Sequence, residues 1–279
     1  MDKYNVVNAA TGPVLPPIRK FAEWLKQSFQ RRSQRRTGLS PINETHLEDI
    51  FVVGYPKSGN TWMQNLVASI VFGTDAHLTP DRLVNELVPD VHAQNFYRRY
   101  GTPTFFKTHQ LPQPEYRRVV YLIRDGRDAM VSYFHFLSAM NGRSPDFLRM
   151  VTLGEGLFPC RWHEHVEAWT ANPYGAEMIT IRYESLQNQP VEELKRFCQF
   201  AMVERTREFL QRAADACSFE AMREREKKFG WDSHRWPKEK AFVRRGKVGS
   251  FKDEMPPAAA MEFLRQAERT LARAGYSIN

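Results

Sequence analysis

Apolar residues follow two alternating patterns along the chain. Short runs at Phe51–Val53, Thr104–Phe106, Val119–Ile123 and Met178–Ile181 have strand length. Between and after them, apolar positions recur at three- and four-residue spacing. Trp62, Met63, Leu66, Val67, Ile70 and Val71 form one such face, and Trp162, His165, Val166 and Trp169 another. Leu194, Phe197 and Cys198 follow Pro190, which sits at a predicted helix start. Ala260, Phe263, Leu264, Ala267, Leu271 and Ala274 form the last face, with Gly275 as its C-cap. Strands alternating with helices predict an α/β fold: one domain with a central parallel β-sheet flanked by helices. Ligands of such sheets bind at the carboxyl ends of the strands.

Residues 1–48 read as an N-terminal extension and residues 49–279 as the domain. Within the extension, Ile18, Phe21, Trp24, Leu25 and Phe29 predict an amphipathic basic helix over residues 17–36. Such a helix packs on its own domain or makes a peripheral membrane contact. The net charge of +8 raises the question of nucleic acid, but much of the excess lies in Arg31-Arg32-Ser33-Gln34-Arg35-Arg36. No nucleic-acid partner is expected, and a basic pocket equally suits a small anion. The three cysteines show no metal spacing and suit a reducing compartment. Met1–Ala10 has no apolar leader, and the run Leu66–Phe72 is too short to cross a bilayer, so a cytoplasmic location is expected. His163 and His165 stand two apart and diverge on a helix, so no metal is expected.

The most informative segment is Phe51–Trp62, FVVGYPKSGNTW. A strand, a Gly-rich turn and a helix place backbone N–H groups around an anion. Gly54, Gly59 and Thr61 have Walker-loop spacing, but Asn60 stands where the Walker Lys belongs and Lys57 lies inside the loop. That departure points to an anion other than an extended triphosphate with its metal. The phrase YPKSGNTW resembles the 5′-phosphosulfate loop of the cytosolic-type sulfotransferases, which use PAPS (3′-phosphoadenosine 5′-phosphosulfate). The resemblance runs from about Asp49 to Lys252 and implies a P-loop-NTPase-like fold. It assigns Lys57, Ser58, Gly59, Asn60, Thr61 and Trp62 to the donor, with Trp62 stacking on adenine.

Further motifs follow in the family's order. Arg124 and Ser132, eight apart at a strand end and on a helix, resemble the pair that holds the 3′-phosphate. Arg244-Arg245-Gly246-Lys247-Val248-Gly249-Ser250-Phe251-Lys252 resembles R-K-G-x-x-G-D-W-K, with Ser250 and Phe251 departing from Asp-Trp. It implies Arg244, Arg245 and Gly246 as further 3′-phosphate ligands. Lys107-Thr108-His109 resembles the family's K-T-H, although Gln110 intervenes before Leu111-Pro112. There the His is the general base, and Lys107 and Lys57 serve the sulfuryl oxygens and the leaving phosphate. Tyr183 and Cys217-Ser218-Phe219 match the adenine-contacting positions, with Cys217 replacing a hydroxyl residue.

The resemblance implies sulfuryl transfer from PAPS, releasing PAP without a metal, to a small-molecule acceptor hydroxyl. Loops 75–100, 138–160 and 229–236 are expected to wall the acceptor. Their Phe96, Tyr97, Tyr100, Phe147, Phe158, Trp231 and Trp236 favour an apolar or aromatic alcohol or phenol, and a sugar stays open. The family's dimerisation motif is not found after Lys252, which leaves oligomeric state open. Two alternatives stand beside this reading: a P-loop nucleotide phosphotransferase, and a membrane- or nucleic-acid-binding module using the basic N-terminal helix.

Overall fold

All five residues of Ile50–Gly54 are buried, so this strand needs cover on both faces. The computed structural model describes residues 37–231 and 236–278. The helix expected over residues 17–36 lies outside them. In chain order the strands are β1 (Leu39–Pro41), β2 (Ile50–Gly54), β3 (Phe96–Arg98), β4 (Phe105–Thr108), β5 (Arg118–Ile123) and β6 (Glu177–Arg182). The helices that matter for the site are α1 (Asn60–Phe72), α2 (Asp81–Leu87), α3 (Gly126–Met140) and α4 (Phe147–Leu153). They are followed by α5 (Trp162–Ala171), α6 (Tyr183–Asn188), α7 (Pro190–Ala201), α8 (Arg207–Ala216), α9 (Phe219–Phe229), α10 (Phe251–Glu254) and α11 (Pro257–Arg273).

The central sheet is parallel, in the order β4-β2-β5-β6. Alternate residues feed two cores, as the period-two geometry of a strand requires. Phe51, Val53, Val119 and Tyr121 face one side with Met130, Trp162, Trp169 and Phe263 of α3, α5 and α11. Ile50, Val52, Val120 and Leu122 face the other with Met63, Leu66, Leu194 and Leu210 of α1, α7 and α8. The connection from β2 leads to β4 on one side and that from β5 leads to β6 on the other, so the two diverge between β2 and β5. That arrangement opens a crevice at the strand carboxyl ends.

The strands and helices expected within the described residues are present. The segment read as an extension also contributes a short strand. Leu39–Pro41 pairs antiparallel with Phe96–Arg98, and the Tyr97 hydroxyl donates to the Glu44 carbonyl at 2.7 Å. β4 also runs two residues further than its apolar run. Lys107 and Thr108 pair with Val52 and Val53, which carries a charged residue to the sheet's rim.

Candidate active site

The β2–α1 turn is held by its own residues. The Ser58 N–H and the Asn60 side-chain amide both donate to the Tyr55 carbonyl, at 3.1 and 2.9 Å. Lys57 and Gly59 both have positive φ, at 71° and 95°. A Cβ at Gly59 would lie 2.8 Å from the Tyr183 ring, so the turn tolerates only glycine there. No side chain caps α1, which leaves its first N–H groups for an anion. Ser58 Oγ, Asn60 Oδ1, Trp62 Nε1 and Arg124 Nε are buried and lack hydrogen-bond partners. Of these, the Trp62 and Arg124 N–H donors belong to residues that line the adjoining cavity, and a phosphate-bearing nucleotide would accept from them.

This turn opens onto a cavity of about 1100 Å³. Lys57, Gly59, Asn60, Thr61, Trp62, Lys107, His109, Arg124, Ser132, Tyr183, Cys217, Ser218, Phe219, Arg244, Arg245 and Gly246 all line it. Ser58 is the one donor-site residue assigned from sequence that does not; it is buried. Arg124 directly follows β5, and its guanidinium donates to the Lys57 carbonyl at 3.2 Å and the Lys247 carbonyl at 3.1 Å. It also lies over the Tyr183 ring, 4.3 Å from the centroid. One side chain thus joins the β2–α1 turn to the segment after Phe242.

That segment is pinned from several directions. Asp128, fully buried in the first turn of α3, accepts from Gly249 N–H at 2.7 Å, Phe251 N–H at 2.9 Å and Ser250 Oγ at 3.1 Å. Tyr183 and Gln187 of α6 donate to the Gly246 carbonyl at 3.3 and 2.8 Å. Gly246 has φ 60°, and a Cβ there would fall 2.3 Å from the Phe219 ring. Arg244 and Arg245 each pair with Glu254, at 2.6 and 2.9 Å. At the end expected from sequence to take adenine, Trp62 and Tyr183 meet edge to face at 5.5 Å. Ser218 spends its hydroxyl capping α9. Burial pushes the Cys217 thiol up to about 12, so it stays protonated.

At the other end stand the two lysines and His109. The Lys57 ammonium lies between the Phe136 and Phe242 rings, at 4.6 and 4.5 Å. Burial, then the charges of Lys107, Arg124 and Arg244, bring its pKa down to about 7. Lys107 pairs with Asp90 at 2.8 Å. His109 Nδ1 lies 2.8 Å from the Gly54 carbonyl. A carbonyl only accepts, so Nδ1 carries the proton and Nε2 keeps its lone pair. Burial and the Lys107 charge push His109 down to about 3, against the opposing pull of Gly54 and Asp90.

Sequence reasoning missed the residues behind His109. His165 Nε2 donates to the His109 carbonyl at 3.2 Å, and the Tyr121 hydroxyl donates to His165 Nδ1 at 3.1 Å. Trp169 Nε1 donates to the Gln110 carbonyl at 3.0 Å. The apolar face of α5 therefore also fixes the backbone of the K-T-H segment; its helical spacing was legible, its target was not. The three loops expected to wall the acceptor all reach the cavity, but most of their aromatics do not. Of the seven aromatics, only Phe158 and Trp231 line the cavity. Tyr97 packs against Phe106, Phe147 stacks on Phe134, and Trp236 stacks behind Phe136. Phe136 and Phe242 supply the rings in their place. Among the described residues no His, Cys, Asp or Glu group could hold a metal ion. No described helix is long and apolar enough to cross a membrane.

The sequence matches the family model of the sulfotransferase domain over residues 47–275. Among curated proteins it is 27% identical to 3-alpha-hydroxysteroid sulfotransferase of Cavia porcellus, covering 82% of this chain and 85% of that one. It is 25% identical to Sulfotransferase 1C2 of Homo sapiens, covering 85% and 86%. Among solved structures, the fold is similar to retinol dehydratase in complex with androsterone and PAP, with a TM-score of 0.62 at 22% identity over 82% of each chain. It is also similar to mouse sulfotransferase SULT7A1 complexed with PAP, with a TM-score of 0.61 at 21% identity, covering 83% and 86%.

Proposed function

Given that the chain belongs to the sulfotransferase domain family, we propose that it moves the sulfuryl group of PAPS to an acceptor hydroxyl, with His109 as general base. PAPS is the co-substrate and PAP the product. The observation that carries the base assignment is the 2.8 Å contact from His109 Nδ1 to the Gly54 carbonyl. It fixes the tautomer that leaves Nε2 free to accept a proton in the cavity. In the transfer, the acceptor oxygen attacks sulfur in line and passes its proton to Nε2. The sulfur–oxygen bond to the 5′-phosphate breaks, and the charge that develops there meets Lys57 and the α1 N–H groups. Transfer of a group with one charge fewer than a phosphoryl group places less demand on a metal.

The donor site is supported by the unpaired Trp62 and Arg124 N–H groups beside the turn. Arg124, Ser132, Arg244, Arg245 and Gly246 are the residues that would take the 3′-phosphate. Trp62, Tyr183, Cys217, Ser218 and Phe219 would hold the adenine. The acceptor is best read as a small apolar or aromatic alcohol or phenol, since Phe136, Phe158, Trp231 and Phe242 line the cavity that also holds His109. Androsterone and retinol, bound in the structures of retinol dehydratase, are alcohols of this kind. The three free thiols fit a cytoplasmic location.

The phosphotransferase alternative needs a cation after the second glycine. Asn60 stands there instead, buried, and its amide is spent on Tyr55. Turnover of PAPS with a phenol panel by wild type and His109→Ala tests the proposal. We expect kcat to fall about 10²–10⁴-fold in the variant, with PAP affinity by calorimetry within about threefold of wild type. Near-normal kcat in the variant would remove His109 from the role. Tighter binding of ADP with Mg²⁺ than of PAP would replace the donor assignment with the phosphotransferase.

A further inference from the structure

His109 is bracketed along its backbone by two other histidines. His165 donates to its carbonyl, and its N–H donates to His92 Nε2 at 3.0 Å. The second contact fixes a protonation state. A backbone N–H can only donate, so His92 Nε2 must present a lone pair, and the proton of that ring sits on Nδ1. The Thr108 hydroxyl lies 3.4 Å from the same nitrogen, and its oxygen already accepts from Gln110 N–H at 3.2 Å.

We propose that His92 is a positioning residue for the His109 base, competent only while its Nε2 is unprotonated, so that the acid limb of activity carries His92 as well as His109. This rests on His109 being the general base. The rings of His92 and His109 are stacked, 5.5 Å between centroids and 9° between planes. Around His92 stand Asp90, whose carboxylate accepts the His92 backbone N–H at 2.9 Å, and Lys107, which is paired with that same carboxylate. The Phe158 ring meets His92 edge on at 5.1 Å. His92 is exposed on its outer side, so bulk protons reach it.

A proton on Nε2 turns the acceptor into a donor facing the His109 N–H, which can only donate. It releases the His109 N–H and sets a new cation beside Lys107 and the His109 ring. Burial and the Lys107 charge both resist that protonation, and Asp90 favours it. A general base must stand within hydrogen-bond reach of the proton it takes, and a shift of about 1 Å costs about 10²-fold. Loosening one of the two backbone clamps on His109 acts through that sensitivity.

Two variants separate the positioning role from simple packing. His92→Gln keeps an acceptor oxygen near the Nε2 position and cannot titrate. His92→Phe keeps a stacked ring and removes the acceptor. The first readout is the ¹⁵N–¹H shift of the His109 amide in ligand-free protein between about pH 5 and about pH 8. We expect a titration in wild type and its loss in His92→Gln. The second readout is kcat/KM for the acceptor against pH at saturating PAPS. We expect His92→Gln to retain wild-type activity within about threefold at neutral pH, with an acid limb that is shallower and moved to lower pH. His92→Phe should lose about 10- to 100-fold in kcat with little change in KM for PAPS.

An unchanged acid limb in His92→Gln, or wild-type kcat in His92→Phe, would overturn the proposal. So would a His109 amide that does not titrate, whatever the activity shows. Should wild type prove unable to turn over PAPS, the reading of the base fails on its own. The amide titration would still decide whether His92 governs the His109 backbone.

Discussion

Two loops face the same anion-binding cavity, and they are built by opposite means. The turn from Gly54 to Asn60 is closed by its own atoms: Ser58 and Asn60 return to the Tyr55 carbonyl, and α1 begins directly after. The segment from Phe242 to Phe251 closes little on itself. Phe242 and Val243 give their N–H groups to Glu226, Gly246 is held from α6, and Gly249 to Phe251 are held by Asp128. A local loop is encoded where it stands. A tethered loop depends on partners that arrive only when the rest of the domain has folded. The first should therefore survive substitutions elsewhere, and the second should report on them.

The strongest way to break this contrast is Asp128→Ala. It leaves the Gly249 and Phe251 N–H groups and the Ser250 hydroxyl without their acceptor. We expect a stability loss of about 3 kcal/mol by urea unfolding and a fall in PAP affinity of about 10²-fold. Equal affinity in the variant would mean that the far loop is not held by its tether. Gly246→Ala is next. Its added carbon meets the Phe219 ring at 2.3 Å, so the far loop must shift, at a cost of about 1–3 kcal/mol. PAP affinity should drop about tenfold by calorimetry, while the amide shifts of residues 55–60 stay in place. Large shifts there would show that the two loops are one unit.

The smallest effect concerns the charge of the local loop. Lys57 is depressed to about 7, so near pH 8 its amine in the free protein is largely neutral. An anion beside it favours the ammonium. PAP binding should then take up a fraction of a proton, and affinity should weaken as pH rises above about 7. Calorimetry in two buffers of different ionisation heat measures the uptake directly, and Lys57→Met should abolish it. Uptake that persists in that variant would assign the proton to another group.

The local loop was also the legible one. Its string of residues is contiguous, as are Lys107 to His109 and Arg244 to Gly246, and Arg124 and Ser132 lie only eight positions apart. Their order along the chain and the strand–helix alternation were enough to bring them to one cavity. What stayed hidden are relations between distant residues. Asp128 reads as an acidic residue in a first helical turn, and nothing in its neighbourhood announces the Gly249 amide. His165 reads as part of an apolar helix face and His92 as a loop residue, though both clamp His109. The aromatics assigned to the acceptor wall failed for the same reason. Composition places aromatics in a loop, but only packing decides whether Tyr97 and Phe147 face a cavity or a neighbouring ring. β1, three residues long and ahead of the residues read as the domain, was hidden for the same reason: it finds its partner in β3.

The Asp128 tether has a consequence for synthesis on the ribosome. The sheet and the local loop are complete once β6 has emerged, whereas Gly249 to Phe251 follow much later. At about 5–20 residues per second, the nascent chain spends several seconds or more with Asp128 buried by its helix and still without its donors. A message truncated in that interval yields a chain that lacks half of its anion site and leaves the Asp128 carboxylate with Arg124 at 3.8 Å but without its backbone donors. Such fragments should be cleared by proteolysis rather than accumulate as inert competitors for the cosubstrate.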